Sequence, residues 1–437
     1  MAYTETTQTS WGSRLGGAFK GIVTGIVLVV VGTILLYWNE GRTVKTGGAI
    51  NEARSVAVKV DDISRVDPAL AGKVIYATGR AETRDVLTDP IFGASATAID
   101  ISRRVEYYQW QEHSRQETRK KLGGGEETVT TYTYTKEWVD GPTDSGSFKD
   151  PEYQGRNKVL AEYEDETLYA PNVTFGAYTL PNFLKHSIGG AVPLDLVLDE
   201  DRKKAIFEGL SVEPGPVGNA MLPAGNAVLP AKGSSDPASA DAASGDAASS
   251  AVQPVQLVQP QDRYVHAQGN ILYLGEKPGS PQVGDVRVTF TQTPPADVSI
   301  IAQVAGNTFE EFTASNGYTF SRLNMGTVGM ERMFAGAESD NVTMAWILRV
   351  VGTIVVIAGL GTILHPLSVI ADVIPILGSI VGAGTGFVAF LLGLAWSLLV
   401  IAIAWIRFRP VLAVSLLGGV VVLLGLLFVK GRKGRAA

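Results

Sequence analysis

The chain has no cysteine and only four histidines among its 437 residues. The first absence excludes thiolate nucleophiles, disulfides and thiolate metal sites, and it is neutral on compartment. His113, His186, His266 and His365 lie far apart, with no i, i+4 pair and no HExxH, so the helical zinc-protease pattern is missing. A Gly-x-Ser-x-Gly elbow is missing too, since Gly378-Ser379-Ile380-Val381-Gly382 has other spacing and apolar surroundings. Gly123-Gly124-Gly125 is followed by Glu126, not by Lys and Ser/Thr, so it reads as a turn and not a phosphate loop. No catalytic residue, metal or cofactor is expected, and the chain reads as a non-enzyme.

Charge is scarce in the last part of the chain. Between Met344 and Val429 the only fully ionised residues are Arg349, Asp372, Arg407 and Arg409. Residues 344–364 can cross a hydrocarbon core of about 30 Å at about 1.5 Å per residue. Arg349 sits near enough to the end of that segment to snorkel, and a buried functional arginine is the alternative. From Asp372 to Arg407 there are 34 uncharged residues, about 50 Å as one helix and too long for one span. They are therefore divided at Pro375 and the glycines Gly378, Gly382, Gly384 and Gly386. Residues 365–384 become a cytoplasmic-side connection with a re-entrant or interfacial piece, and residues 385–406 a span. Pro366 is expected to stop a helix, and Asp372 to cap the next one. Residues 410–429 form the last span.

Near the start, residues 21–39 are apolar and end in Tyr37-Trp38, a headgroup-level pair. No small-x-small cleavage site follows, so this is an uncleaved signal anchor. Gly17, Gly21 and Gly25 are spaced by four, as are Gly378, Gly382 and Gly386, a spacing that lets helix backbones approach. The expectation is an α+β membrane protein with four transmembrane helices, one N-terminal and three C-terminal. A β-rich extracytoplasmic domain occupies residues 40–340.

The basic tail over 430–437 argues that both chain ends, including residues 1–20, are cytoplasmic. The net charge is −6, of which residues 1–20 contribute +1 and residues 341–437 contribute +6, leaving −13 on residues 21–340. Such an acidic domain is a poor nucleic-acid binder. Arg42, Lys45, Arg407 and Arg409 fall on the far side from the tail and oppose the charge rule.

Within the domain, strands are expected at Ser55–Val60, Val74–Gly79, Arg104–Glu117, Glu127–Val139, Tyr264–Leu274, Asp285–Gln292 and Val298–Val304. Arg104–Glu117 and Glu127–Val139 form a long hairpin with an aromatic face, and Trp110 is placed across from Trp138. Such a face packs on the parent domain or a neighbouring subunit more often than on a ligand. Short helices are expected at Pro181–Ser187, Asp199–Leu210 and Gly326–Ala337. Residues 230–254, rich in Ala, Ser, Asp, Gly and Pro, are expected to be a flexible loop.

Several short stretches occur together in order. They are Trp38-Asn39-Glu40-Gly41-Arg42, the run Arg104 to Glu112 with Glu106, Tyr108 and Trp110, then Glu137-Trp138. The run Pro281 to Phe290 with Gly284 and Asp285, Val298 to Ala302, and Arg409-Pro410 complete the set. In this combination the chain resembles the LUMA family of four-pass membrane proteins, over nearly its whole length. The resemblance implies a large domain between the first two spans and both ends in the cytosol. It also implies self-association and, in animals, residence in the endoplasmic reticulum or inner nuclear membrane with lamin and emerin as partners. The Ala/Gly-rich composition instead favours a bacterial cell (inner) membrane, with the domain periplasmic.

The leading functional expectation is a scaffold in the lipid bilayer that forms homo-oligomers and organises membrane or envelope proteins. A channel or transporter component is the alternative, motivated by Arg349, Asp372 and the glycine-rich residues 373–384. A membrane-bound hydrolase would need distant histidines such as His186 or His266 brought to acids.

Overall fold

The structure is a computed structural model that describes residues 3–211 and 259–411. The expected flexible loop 230–254, the basic tail 430–437 and the expected fourth span beyond Val411 lie outside the described residues. Among the described residues, three helices are long and apolar enough to cross a membrane. They are α1 (Trp11–Val56), α2 (Met330–Ala371) and α3 (Pro375–Phe408).

Both α1 and α2 outrun the bilayer. At 46 residues, α1 is about 69 Å long at about 1.5 Å per residue. Its last turns carry Ile50 and Ala53 into a core with Tyr76, Ile301, Met333 and Phe334. The strand expected at Ser55–Val60 therefore shrinks to Val58–Val60, because the helix continues where it finds a packing partner. That partner is the helix expected at Gly326–Ala337, which proves to be the first turns of α2. One pair of rods thus runs from the membrane layer into the domain without a joint.

Two expected breaks are not there. α2 passes through Pro366 to Ala371, and Ser368 Oγ donates to the His365 carbonyl at 3.1 Å beside it. Membrane helices tolerate proline where hydroxyls and neighbours satisfy the backbone. α3 runs unbroken from Pro375, so residues 373–384 are not a re-entrant piece. Pro375 is at the first turn, where its missing N–H costs nothing.

Helices α1 and α2 cross antiparallel at glycines. A Cβ on Gly25 would stand 2.6 Å from the Gly359 carbonyl oxygen, and one on Gly359 2.7 Å from that of Gly25. Gly32 meets Val356 and Gly352 meets Leu36 in the same way. The useful spacing is therefore seven, Gly25 with Gly32 and Gly352 with Gly359. Of the glycines spaced by four, Gly17 and Gly386 touch nothing within 4 Å.

The domain is built on two sheets. β1 (Tyr3–Thr9), β2 (Val74–Thr83), β3 (Asp100–Lys120), β4 (Glu126–Val139), β5 (Ile271–Leu274), β6 (Val286–Thr293) and β7 (Ala296–Ala305) are its main strands. One sheet has the order β1-β4-β3-β6-β5, ending in Val265–Gln268. The other joins β7 to β2 antiparallel and closes through short strands at Thr308–Glu310, Tyr178–Thr179 and Val173–Phe175. Between them lies a continuous core that includes Phe92, Tyr107, Phe175, Phe290 and Ile300. Asp199 caps its helix by accepting from Arg202 N at 2.7 Å.

The hairpin β3–β4 is the longest feature, and its register corrects the expected one. Trp138 pairs with Tyr108, and Trp110 pairs with Lys136. The turn is centred on Gly123, one residue earlier than assumed, which shifts the pairing by two, because Lys121 to Gly125 form it together. β1 adds a third strand, pairing Tyr3–Thr9 with Tyr132–Glu126. The tip then touches the far ends of the helices, with Gly123 N donating to Val373 O at 3.2 Å and Arg14 Nη1 of α1 donating to Gly124 O, while Trp11 Nε1 of α1 donates to Val369 O of α2 at 2.8 Å. From Trp110 to Lys120 the ribbon covers roughly 33 Å at about 3.3 Å per residue, matching α1 from Arg14 to the region of Leu36. The domain is therefore not confined to one end of the helices, as the assignment of residues 40–340 to one side assumed. Charge counting registers loops and tails and carries no information on strand pairing.

Replacing Gly359 by Leu is expected to lower the thermal unfolding midpoint of the detergent-purified protein, by about 1–3 kcal/mol of overpacking. Gly386→Leu, with open space around it, serves as the neutral control. Equal midpoints for the two variants would contradict the glycine crossing.

Candidate functional site

Three polar clusters gather the residues that the sequence singled out. The first lies where α1 leaves the apolar layer. Glu40 is fully buried and receives both Arg349 Nε at 2.6 Å and Arg349 Nη2 at 2.9 Å. Trp405 Nε1 donates to the same carboxylate at 2.9 Å. The guanidinium stacks 4.9 Å from the centre of the Trp346 ring. Arg349 is thus turned inward and paired, where the snorkelling expectation had it reach for the interface. It is held by a bidentate pair, the geometry that best offsets desolvation.

Neighbouring polar groups extend the pair. Asn39 Nδ2 donates to Ala345 O at 3.0 Å, Thr43 Oγ1 to Asn39 O at 2.7 Å, and Asn341 Nδ2 to Thr43 O at 2.9 Å. Gly41 presses on the Phe408 ring, 2.8 Å from where a Cβ would sit. Trp38 points outward and is half exposed. The motif therefore ties all three helices together at one level. Arg42 takes no part in the pair with Glu40.

The second cluster is at the base of the hairpin. Arg287 donates to Glu106 Oε2 at 2.8 Å and lies 4.5 Å over the Trp138 ring. Trp138 packs on Tyr108, with ring centres 5.3 Å apart, and edge-on against Tyr273. Trp110 stands edge-on to Tyr153 and under Lys136. The aromatic face thus packs on its own domain. The Tyr273 hydroxyl donates to buried Asp285, whose pKa burial pushes up. Burial, followed by that bond, also pushes the Tyr273 hydroxyl well up. Gly284 has φ +108, and its N donates to Tyr108 O at 2.9 Å, a turn that only glycine makes without strain.

The third cluster closes the hairpin tip on the helices. Asp372 is buried and pairs with Arg14 Nη2 at 2.5 Å and Lys120 Nζ at 2.6 Å. It does not cap α3, whose N-cap is Ile374. A Cβ on Gly378 would overlap Asp372 Oδ1, so that glycine makes room for the carboxylate. Gly382 lies 3.7 Å from Ser368 Cβ by the same construction, an ordinary contact.

His266 Nε2 sits 3.1 Å from the carbonyls of Arg263 and Gly275, and His186 lies against the Tyr169 ring. Among the described residues, no group of three or more His, Asp or Glu could hold a metal ion. Sequence reasoning missed Trp405, Asn341, Arg14 and Lys120. For Arg14 and Lys120 the signal was Asp372 itself, a lone acid in an apolar run that needs cations from elsewhere. Trp405 gave none.

The family model for Transmembrane protein 43 matches residues 107–410, which takes in the hairpin, the Asp285 turn and helices α2 and α3. The chain belongs to that family. A rat Transmembrane protein 43 is 26% identical, over 93% of this chain and 88% of its own length. The human protein is 25% identical over 93% and 88%, and a fruit-fly homologue 23% identical over 90% of each. No solved structure matches. Membership in the family and the three apolar helices make this an integral membrane protein. These relatives are animal proteins and lend no support to the bacterial membrane expected from composition.

Arg349→Met leaves Glu40 buried without its cation and is expected to cost about 3–5 kcal/mol of stability in a detergent melt. The double variant Glu40→Gln with Arg349→Met is expected to recover most of that. A double variant as unstable as the single one contradicts the pairing.

Proposed function

We propose that this family member is a non-enzymatic scaffold whose copies join through the three-stranded ribbon β1-β4-β3. One observation carries the reading: among the described residues the ribbon has two open edges, and it runs beside the apolar helices. His113 to Lys120 are all exposed, as are Tyr3 to Gln8. Those segments are rich in Thr, Glu, Arg and Lys. Unpaired strand edges and charges do not persist in lipid, and an open edge is a template for another chain.

The bilayer is entered by every copy in the same sense, so the symmetry axis stands along the membrane normal. Copies related that way meet head to tail, edge β1 of one beside edge β3 of the next. Both strands are antiparallel to β4, so this contact is parallel, with Thr6 near the level of Glu117 through Val129. Closing the ring removes every edge. Envelope partners, in an endoplasmic reticulum or inner nuclear membrane by family likeness, would then engage the acidic domain. A second reading, a channel component, is favoured by the same ribbon, since a closed polar ring holds water at the depth of the spans.

The chain lacks cysteine, so Thr6→Cys with Glu117→Cys provides a unique pair. A short bis-maleimide added to membranes is expected to give a ladder of dimers and higher species, and neither single variant should. Light scattering that shows only monomers, together with no ladder, contradicts self-association. Ion flux from liposomes holding the cross-linked protein, matched by that of empty liposomes, removes the channel reading.

A further inference from the structure

We propose that the membrane-level groove between α1 and α3 binds one anionic phospholipid, its phosphate on Arg42 and Lys45 and one acyl chain in the groove. This site is separate from the ribbon and from the Glu40 pair. Ile34 and Trp38 of α1 face Trp396, Leu399 and Ile403 of α3 across a half-open cleft of about 500 Å3. Its walls are almost wholly apolar, and Tyr318 of the domain closes its upper end. Asn316 fixes that roof by donating to Lys45 O at 2.7 Å.

The mouth is cationic and uncompensated. Among the described residues, neither Arg42 nor Lys45 has an acidic partner within salt-bridge distance. Arg42 Nε is buried and, among the described residues, has no hydrogen-bond partner, and its Nη2 reaches Thr43 Oγ1 at 3.5 Å. Lys45 Nζ stands 5.5 Å over the Tyr318 ring. The nearby acid, Glu40, is already engaged by Arg349 and Trp405. Arg407 and Arg409 flank Phe408, whose ring lies on Gly41 at the same level.

A buried donor without a partner implies a missing acceptor. Two cations, Arg42 and Lys45, on the lining of an otherwise apolar cleft call for an acceptor that is both anionic and acylated. A lipid phosphate supplies two acceptor oxygens to the guanidinium fork. The same lipid accounts for Arg42 and Lys45, two of the four cations that depart from the charge rule for span ends.

Native mass spectrometry of the full chain, released from detergent with palmitoyl-oleoyl phosphatidylglycerol or phosphatidylcholine, tests this. The wild type is expected to retain one phosphatidylglycerol with roughly tenfold preference over phosphatidylcholine. Arg42→Gln with Lys45→Gln should abolish the preference while leaving the melting midpoint in place, and Arg42→Lys should keep part of it. Ile403→Trp, which fills the cleft, should lower retention of both lipids. Equal retention of the two lipids by the wild type, or a preference unchanged in the double variant, overturns the site. Displacement of the lipid by millimolar inorganic phosphate also overturns it, because the acyl cleft would then contribute nothing.

Discussion

A polar strand ribbon and three apolar helices occupy the same length of one axis, and hydrocarbon accepts only the helices. The helices satisfy their backbone internally and present Val, Ile and Leu outward. The ribbon presents exposed Glu, Arg and Thr and, among the described residues, two edges without a strand partner. A single solvent cannot suit both surfaces. The ribbon needs water, or further copies, on the side where the helices need lipid. The proposed self-association is an arrangement that would serve both.

The polar clusters fix where each surface sits. The Glu40–Arg349 pair with Trp405 locks α1, α2 and α3 together at the domain end. Asp372 with Arg14 and Lys120 does the same at the other end and adds the hairpin tip. Between them the glycine crossing sets the α1–α2 distance. Strut and rods are therefore fastened at both ends, which makes the juxtaposition a built feature of the fold. Each pair is costly to bury and more costly to break. That cost limits how far the ribbon can swing away from the helices.

Much of this was legible in the sequence, and the losses have physical causes. Membrane helices and the long hairpin follow from local pattern, hydropathy in one case and period-two alternation in the other. The aromatic face follows from Tyr108, Trp110 and Trp138, but its register depended on how many residues the glycine turn absorbs. Pro366 and the glycines after Asp372 looked like breaks because proline and glycine weaken isolated helices, whereas neighbouring helices support them here. Spacing of four drew attention to Gly17 and Gly386, while contact is made at Gly32, Gly352 and Gly359. Spacing within one helix does not reveal which face meets a partner. Strand β1 was invisible, since Tyr3 to Thr9 pair with residues more than a hundred positions away.

The most direct test is the solvent around the ribbon. A nitroxide on Thr131→Cys, in the protein reconstituted into lipid nanodiscs, can be compared for collisions with oxygen and with a water-soluble nickel complex. Ile26→Cys, on the outward face of α1, gives the lipid reference, and Val197→Cys, on the domain surface, gives the water reference. The account predicts nickel accessibility at Thr131 near that of Val197 and far from that of Ile26. Oxygen-dominated, lipid-like accessibility at Thr131 would contradict it.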